Sequence, residues 1–78
     1  MTTAFVLIST ELGEEENLLK HLRSISNVKE AHIVYGVYDM VVKVEAENMD
    51  KLKEIVTHNI RSLSEVRSTI TMTLVEGV

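Results

Sequence analysis

The chain has 78 residues and no cysteine, which excludes disulfide bonds and thiolate metal sites. Its 12 acidic and 8 basic residues give a net charge of −4, and the basic residues form no run of the kind that nucleic-acid binding needs. Hydrophobic residues make up 45% of the chain, which favours an oligomer because so small a domain buries little of its own surface. The longest apolar run, residues 4–8, is far shorter than a membrane helix, and no signal segment precedes it. We therefore expect a soluble cytoplasmic protein with neither a membrane nor a direct nucleic-acid partner.

The first predicted element is a strand over residues 3–10, TAFVLIST. Both of its alternating sets are apolar, Phe5 with Leu7 and Val6 with Ile8. A strand that is apolar on both sides is expected to be covered on both faces.

A helix is predicted next, over residues 13–25, because the apolar period changes from two to about 3.6. Its inward stripe consists of Leu18, Leu19, Leu22 and Ile25. Glutamates at 14–16 fall in the first turn, and Lys20 and Arg23 fall later, as the helix dipole favours.

Residues 28–36 and 38–47 read as the second and third strands, joined at Gly36. A second helix is predicted over residues 48–63, with Asn48 as its cap. Its predicted inward positions are Met49, Leu52, Ile55, Val56, Ile60 and Leu63. A last strand is predicted over residues 66–77, with Thr69, Thr71 and Thr73 on one face.

This β-α-β-β-α-β order predicts an α+β, ferredoxin-like sandwich with a four-stranded antiparallel sheet and both helices on one face. We expect the opposite face to carry Val6 and Ile8 together with apolar residues of the other strands. An exposed apolar patch of that size marks an interaction surface, and a two-fold dimer that packs sheet against sheet would bury it.

The hairpin joint, YGVYD at residues 35–39, admits two interpretations. Gly36 suits a tight turn, and Asp39 suits hydrogen bonds to nearby backbone. On its own, G-x-Y-D is a short pattern of low specificity, and plain turn chemistry explains it.

The wider context resembles a known family. The first strand AFVLIST, the stretch VKEAHIVYGVYDMVVKV and the V-x-x-T-x-T of Val66, Thr69 and Thr71 are similar to the RAM domain (regulation of amino-acid metabolism) of the Lrp/AsnC, or feast/famine, transcription regulators. The resemblance covers nearly the whole chain. Full-length regulators begin with a helix-turn-helix domain, whereas Met1 here leads directly into the first strand. We therefore expect residues 1–78 to be a single stand-alone RAM-like domain that does not bind DNA itself.

The resemblance implies an amino-acid effector, a dimer formed through the sheets as an α/β barrel-like sandwich, and dimers assembled into a ring such as an octamer. The effector would lie between dimers near Gly36, Val37, Tyr38 and Asp39. Asp39 would pair with the ammonium group, and backbone N–H groups beside Gly36 would receive the carboxylate. Tyr38 would shape the pocket, and Thr69 and Thr71 would add hydroxyl contacts. The threonines are equally compatible with a structural ladder of strand residues.

Three alternatives remain open. The first is a cofactor-free, monooxygenase-like α+β barrel enzyme, which the aliphatic helix-facing positions disfavour. The second is an ACT-type amino-acid-binding domain, for which Gly13 between the first strand and first helix is suitably placed. The third is an assembly partner of full-length Lrp/AsnC regulators. We expect no enzyme activity, no cofactor and no metal, and we interpret the three histidines as surface residues: His21, His32 and His58.

Overall fold

The computed structural model describes residues 1–75. Its elements are β1 (Thr2–Thr10), α1 (Glu15–Arg23), β2 (Val28–Ile33), β3 (Met40–Ala46), α2 (Met49–Ile55), a π-helical segment (Val56–Ile60) and β4 (Val66–Thr73). This order confirms the predicted ferredoxin-like α+β fold. The last two residues of the strand predicted over 66–77 lie outside the described part of the chain. Within residues 1–75, no helix is long and apolar enough to span a membrane.

The four strands form one antiparallel sheet in the order β2-β3-β1-β4. Val6 of β1 lies opposite Val42 on β3 and opposite Thr71 on β4. Because directly paired residues of neighbouring strands point to the same face, this register assigns every strand residue to one side of the sheet. The pairing of β1 with β4 shifts between Ser9 and Thr10, near the end of β1.

The core lies between the sheet and the two helices. Val6 and Ile8 are fully buried there, together with Leu18 and Leu22 of α1. The expectation that Val6 and Ile8 lie on the face away from the helices is therefore wrong. Both alternating sets of β1 are apolar, so alternation alone could not show which set the helices cover.

Helix α1 begins at Glu15, two residues later than predicted, because a turn precedes it. The N–H of Glu14 donates to the carbonyl of Glu11 at 3.0 Å, and Gly13 within that turn has a φ of +81°. A left-handed φ at the third position of a turn favours glycine, so Gly13 has a purely conformational explanation.

Helix α2 is capped as predicted, since the side-chain oxygen of Asn48 accepts a hydrogen bond from the backbone N–H of Lys51 at 2.9 Å. The single helix predicted over residues 48–63 is interrupted, however, because a π-helical segment follows Ile55. There the N–H of Arg61 donates to the carbonyl of Val56 at 2.8 Å, five residues earlier. Met49 is 40% exposed, so its predicted inward position is also wrong.

The face of the sheet away from the helices is open. Its apolar centre, which we call the open-face patch, is formed by Phe5, Leu7, Val41, Ile70 and Met72. Leu7 lies at the middle of this patch, opposite both Val41 and Ile70. Towards β2 the same face becomes charged, where the Lys43 ammonium lies 3.8 Å from the Glu30 carboxylate.

Candidate functional site

Residues 34–39 join β2 to β3 as a loop of six residues rather than the predicted tight turn. The N–H of Val34 donates to the carbonyl of Asp39 at 2.8 Å and closes the loop at its base. Tyr35 and Val37 project from its tip and are fully or almost fully exposed. This loop therefore presents two apolar side chains to solvent without burying them in its own protomer.

Asp39 fastens the loop to the end of β1 by two hydrogen bonds. Its backbone N–H donates to the carbonyl of Ile8 at 2.9 Å, and its Oδ2 accepts the backbone N–H of Thr10 at 2.9 Å. The turn interpretation predicted hydrogen bonds from Asp39 to the backbone of its own turn. The structure shows instead that Asp39 bonds to the backbone of β1. The other carboxylate oxygen, Oδ1, has no hydrogen-bond partner among residues 1–75. Asp39 thus makes a structural contact through one carboxylate oxygen only, as far as the described residues go.

The predicted threonines lie elsewhere, on the helix side of edge strand β4. Thr69 lies opposite Ile8 and Thr71 lies opposite Val6, and both of these β1 residues are buried beneath the helices. The threonine row therefore faces the second helix. Between them lies an open cavity of about 430 Å³, which we call the threonine groove, lined by Met49, Leu52, Lys53, Val56, Thr57, Arg61, Thr69, Thr71 and Thr73.

Within one protomer the loop and the threonine groove are separate. None of the four predicted loop residues lines the groove. Asp39 and Thr69 both neighbour Ile8, but from opposite sides of β1, so their backbones are roughly 10 Å apart. Asp39 is therefore not part of the threonine groove within one protomer.

Glu65 is a buried carboxylate that the sequence did not predict. Glu65 is 7% exposed, and its Oε2 lies 2.6 Å from Nδ1 of His21 in the last turn of α1. The two residues are far apart along the chain, and no local pattern links them. His21, His32 and His58 are exposed, as predicted. No group of three or more histidine, aspartate or glutamate side chains within residues 1–75 is placed to hold a metal ion.

Residues 3–78 match the model of the Lrp/AsnC ligand-binding domain. The chain belongs to this family. The match includes the β2–β3 loop, Asp39 and the threonine row, and it decides between the RAM and ACT interpretations in favour of RAM.

Individual relatives agree with this assignment. An uncharacterized HTH-type transcriptional regulator of Pyrococcus furiosus is 35% identical over 74 residues, which cover 91% of this chain and 49% of the relative. This Lrp/AsnC domain thus spans about half the length of that regulator. The crystal structure of FFRP-DM1 superposes with a TM-score of 0.94 at 40% identity, covering 96% of this chain and all of the other.

AsnC of Escherichia coli superposes with a TM-score of 0.90 at 25% identity, covering 96% of this chain and 51% of AsnC. A transcriptional regulator of Neisseria meningitidis, solved as a complex with L-methionine, has a TM-score of 0.89 at 15% identity, covering 99% of this chain and 51% of the regulator. At that identity the likeness shows the fold alone.

Proposed function

We propose that this Lrp/AsnC domain senses a free amino acid and passes the signal on by changing its state of assembly. In this proposal it has no enzymatic activity, does not bind DNA itself, works in the cytoplasm and modulates transcription regulators of its own family. The observation that carries the proposal is the Asp39 carboxylate, which is fixed to β1 through Oδ2 while Oδ1 has no hydrogen-bond partner within residues 1–75.

The chemistry of the loop suits an amino acid. A free amino acid carries an ammonium group and a carboxylate on one carbon, so its site needs an anion next to hydrogen-bond donors. Asp39 supplies the anion, and its geometry is already set by the hydrogen bond to Thr10. The exposed backbone around Gly36 and Val37 is available to receive the carboxylate, and the half-buried Tyr38 lies beside it.

Assembly provides the remaining groups. The open-face patch would be buried by a two-fold dimer, sheet against sheet. Contacts between dimers, in a ring such as an octamer, would then involve the exposed loop tip at Tyr35 and Val37. In this arrangement Thr69 and Thr71 of a neighbouring dimer approach the ligand. Such a ligand changes the assembly only if it binds one assembled state more tightly than another.

The enzyme alternative receives no support from the core. The buried core side chains are aliphatic or methionine, and the buried polar residues within 1–75 are Thr10 and Glu65. Those core residues include neither a histidine nor an aromatic cluster of the kind that the cavity of such a barrel enzyme typically holds.

The proposal is tested by a thermal-shift screen of the protein against the twenty amino acids, with L-methionine among them. A ligand at 100 times its dissociation constant stabilises the folded state by about 2.7 kcal/mol. In a domain of this size that corresponds to a rise in Tm of about 10 °C or more. We expect one or two amino acids to give such a shift and to alter the oligomer measured by light scattering after size-exclusion chromatography.

The matched variant is Asp39→Asn, whose side-chain carbonyl can still accept the Thr10 N–H while the negative charge is lost. We expect it to fold and to lose the response. A flat screen with the unmodified protein would contradict amino-acid sensing, and an undiminished response in Asp39→Asn would contradict the role of Asp39.

A further inference from the structure

The threonine groove concentrates positive charge on a chain whose net charge is −4. Lys53 and Arg61 line its helical wall, and no carboxylate is found among its lining residues within the described chain. Neither cation takes part in any of the ion pairs formed within residues 1–75. Two cations without an ion-pair partner in the described part of the chain, beside a row of hydroxyl groups, favour an anionic ligand.

The two cations are spaced along the groove. They are eight positions apart, about two turns along α2 and the π-helical segment, so their backbones are separated by at most roughly 12 Å. Thr69 and Thr73 on the opposite wall are separated by a similar distance, roughly 13 Å. Arg61 and Thr69 also line a second, smaller cavity together, which places Arg61 at the Thr69 end of the row and Lys53 towards the Thr73 end.

Between the two charges the floor of the groove is apolar. Leu52 and Val56 line it, and they are only 1% and 6% exposed. A ligand lying along the groove would therefore meet a cation near each end, hydroxyl groups along one side and an aliphatic surface beneath its middle. An elongated molecule with an anionic group at each end and a methylene chain between them matches this arrangement of two cations and an aliphatic floor.

We propose that the threonine groove binds a small dicarboxylate. One carboxylate pairs with the Arg61 guanidinium and the other with the Lys53 ammonium. The methylene chain lies over Leu52 and Val56, and the threonine hydroxyls donate hydrogen bonds to the carboxylates. This site goes beyond the amino-acid site of the proposed function: it shares Thr69 and Thr71 with that site, but it takes a different class of ligand, uses no residue of the β2–β3 loop and is complete within one protomer.

The test is isothermal titration calorimetry with succinate and glutarate on the whole chain. Propionate, which has one carboxylate, and inorganic phosphate serve as comparison ligands. We expect at least one dicarboxylate to bind at least 10-fold more tightly than either comparison ligand. Arg61→Gln and Lys53→Gln should each raise the dissociation constant about 10-fold or more, because each removes a charge-assisted hydrogen bond.

Lys51→Gln is the matched control, since Lys51 lies on the same helix but outside the groove. It should bind the dicarboxylate as the unmodified protein does, and circular dichroism should show that all three variants are folded. Absence of binding, equal binding of phosphate, or an equal loss in Lys51→Gln would overturn the proposal. Asp39→Asn separates the two proposals, because Asp39 does not line the groove. The variant should keep dicarboxylate binding, and a loss of that binding would overturn the groove as the site.

Discussion

Oδ2 of Asp39 accepts the backbone N–H of Thr10 at 2.9 Å, across a separation of 29 residues. The bond joins the β2–β3 loop to the last residue of β1, where the pairing of β1 with β4 shifts register. Thr10 lies two residues beyond Ile8, the last β1 residue paired with β3, so its backbone N–H has no strand partner on that side, and the aspartate supplies the acceptor. The same carboxylate thus has a structural role, whichever ligand it also binds.

Asp39→Ala and Asp39→Asn should therefore differ in stability. Alanine leaves the Thr10 N–H without its acceptor, and we expect the free energy of unfolding to fall by about 1–2 kcal/mol. Asparagine keeps an acceptor and should cost less than alanine. Urea unfolding followed by circular dichroism measures both, and equal values for the two variants would show that the hydrogen bond contributes little.

Thr10 itself offers a stabilising substitution. Its side chain is buried, and its hydroxyl Oγ1 has no hydrogen-bond partner within the described chain. Valine has the same shape without the hydroxyl, so Thr10→Val should raise the free energy of unfolding by up to about 1 kcal/mol. Thr10→Ser is the control, because it keeps the hydroxyl, removes the methyl group and should destabilise. A loss of stability in Thr10→Val would mean that the hydroxyl is satisfied in solution.

The open-face patch predicts the dimer contact. Leu7→Glu places a carboxylate at its centre, beside Val41 and Ile70, and an unpaired charge buried between two sheets is strongly unfavourable. We expect light scattering after size-exclusion chromatography to show a monomer. Leu12→Glu is the control, since Leu12 is 92% exposed and lies outside the sheet. An unchanged oligomer in Leu7→Glu would place the dimer contact on another surface.

The core beneath α1 should dominate the stability of the domain. Leu22 is fully buried, so Leu22→Ala removes apolar contacts and leaves a cavity, at an expected cost of about 2–5 kcal/mol. In a domain this small that loss is a large part of the total stability. Leu12→Ala makes the same chemical change at an exposed position and should alter stability by less than about 0.5 kcal/mol. Chemical unfolding of both variants checks the contrast, and similar losses would contradict the burial of Leu22.

The N-cap of α2 gives a smaller and separate effect. Asn48→Ala removes the acceptor of the Lys51 N–H and should lower the free energy of unfolding by about 1 kcal/mol. Asn48→Gly should lower the free energy of unfolding by only a few tenths of a kcal/mol, because glycine tolerates the cap conformation. If the two variants lost the same stability in thermal unfolding, the side-chain hydrogen bond would not be the cause.

Local chemistry was enough to predict the order of the elements. The change of apolar period after β1, the Asn48 cap and the alternation from Met40 to Ala46 each depend on residues close together in the chain. The resemblance of the G-x-Y-D loop and the threonines to the Lrp/AsnC domain could likewise be seen in the sequence. The boundaries were less accurate, since they depend on turns such as the one at Gly13.

Tertiary structure decided what periodicity leaves undetermined. Val6 and Ile8 face the helices while Phe5 and Leu7 face outward, although all four are apolar, because the connections of the chain place both helices on one side of the sheet. The buried residues of the π-helical segment, Val56 and Ile60, are four positions apart, a spacing that is also typical of an α-helix. The apolar pattern therefore could not distinguish the two kinds of helix. The placement of Asp39 on Thr10 and of the threonine row against Lys53 and Arg61 depends on contacts between distant residues, which no local pattern encodes.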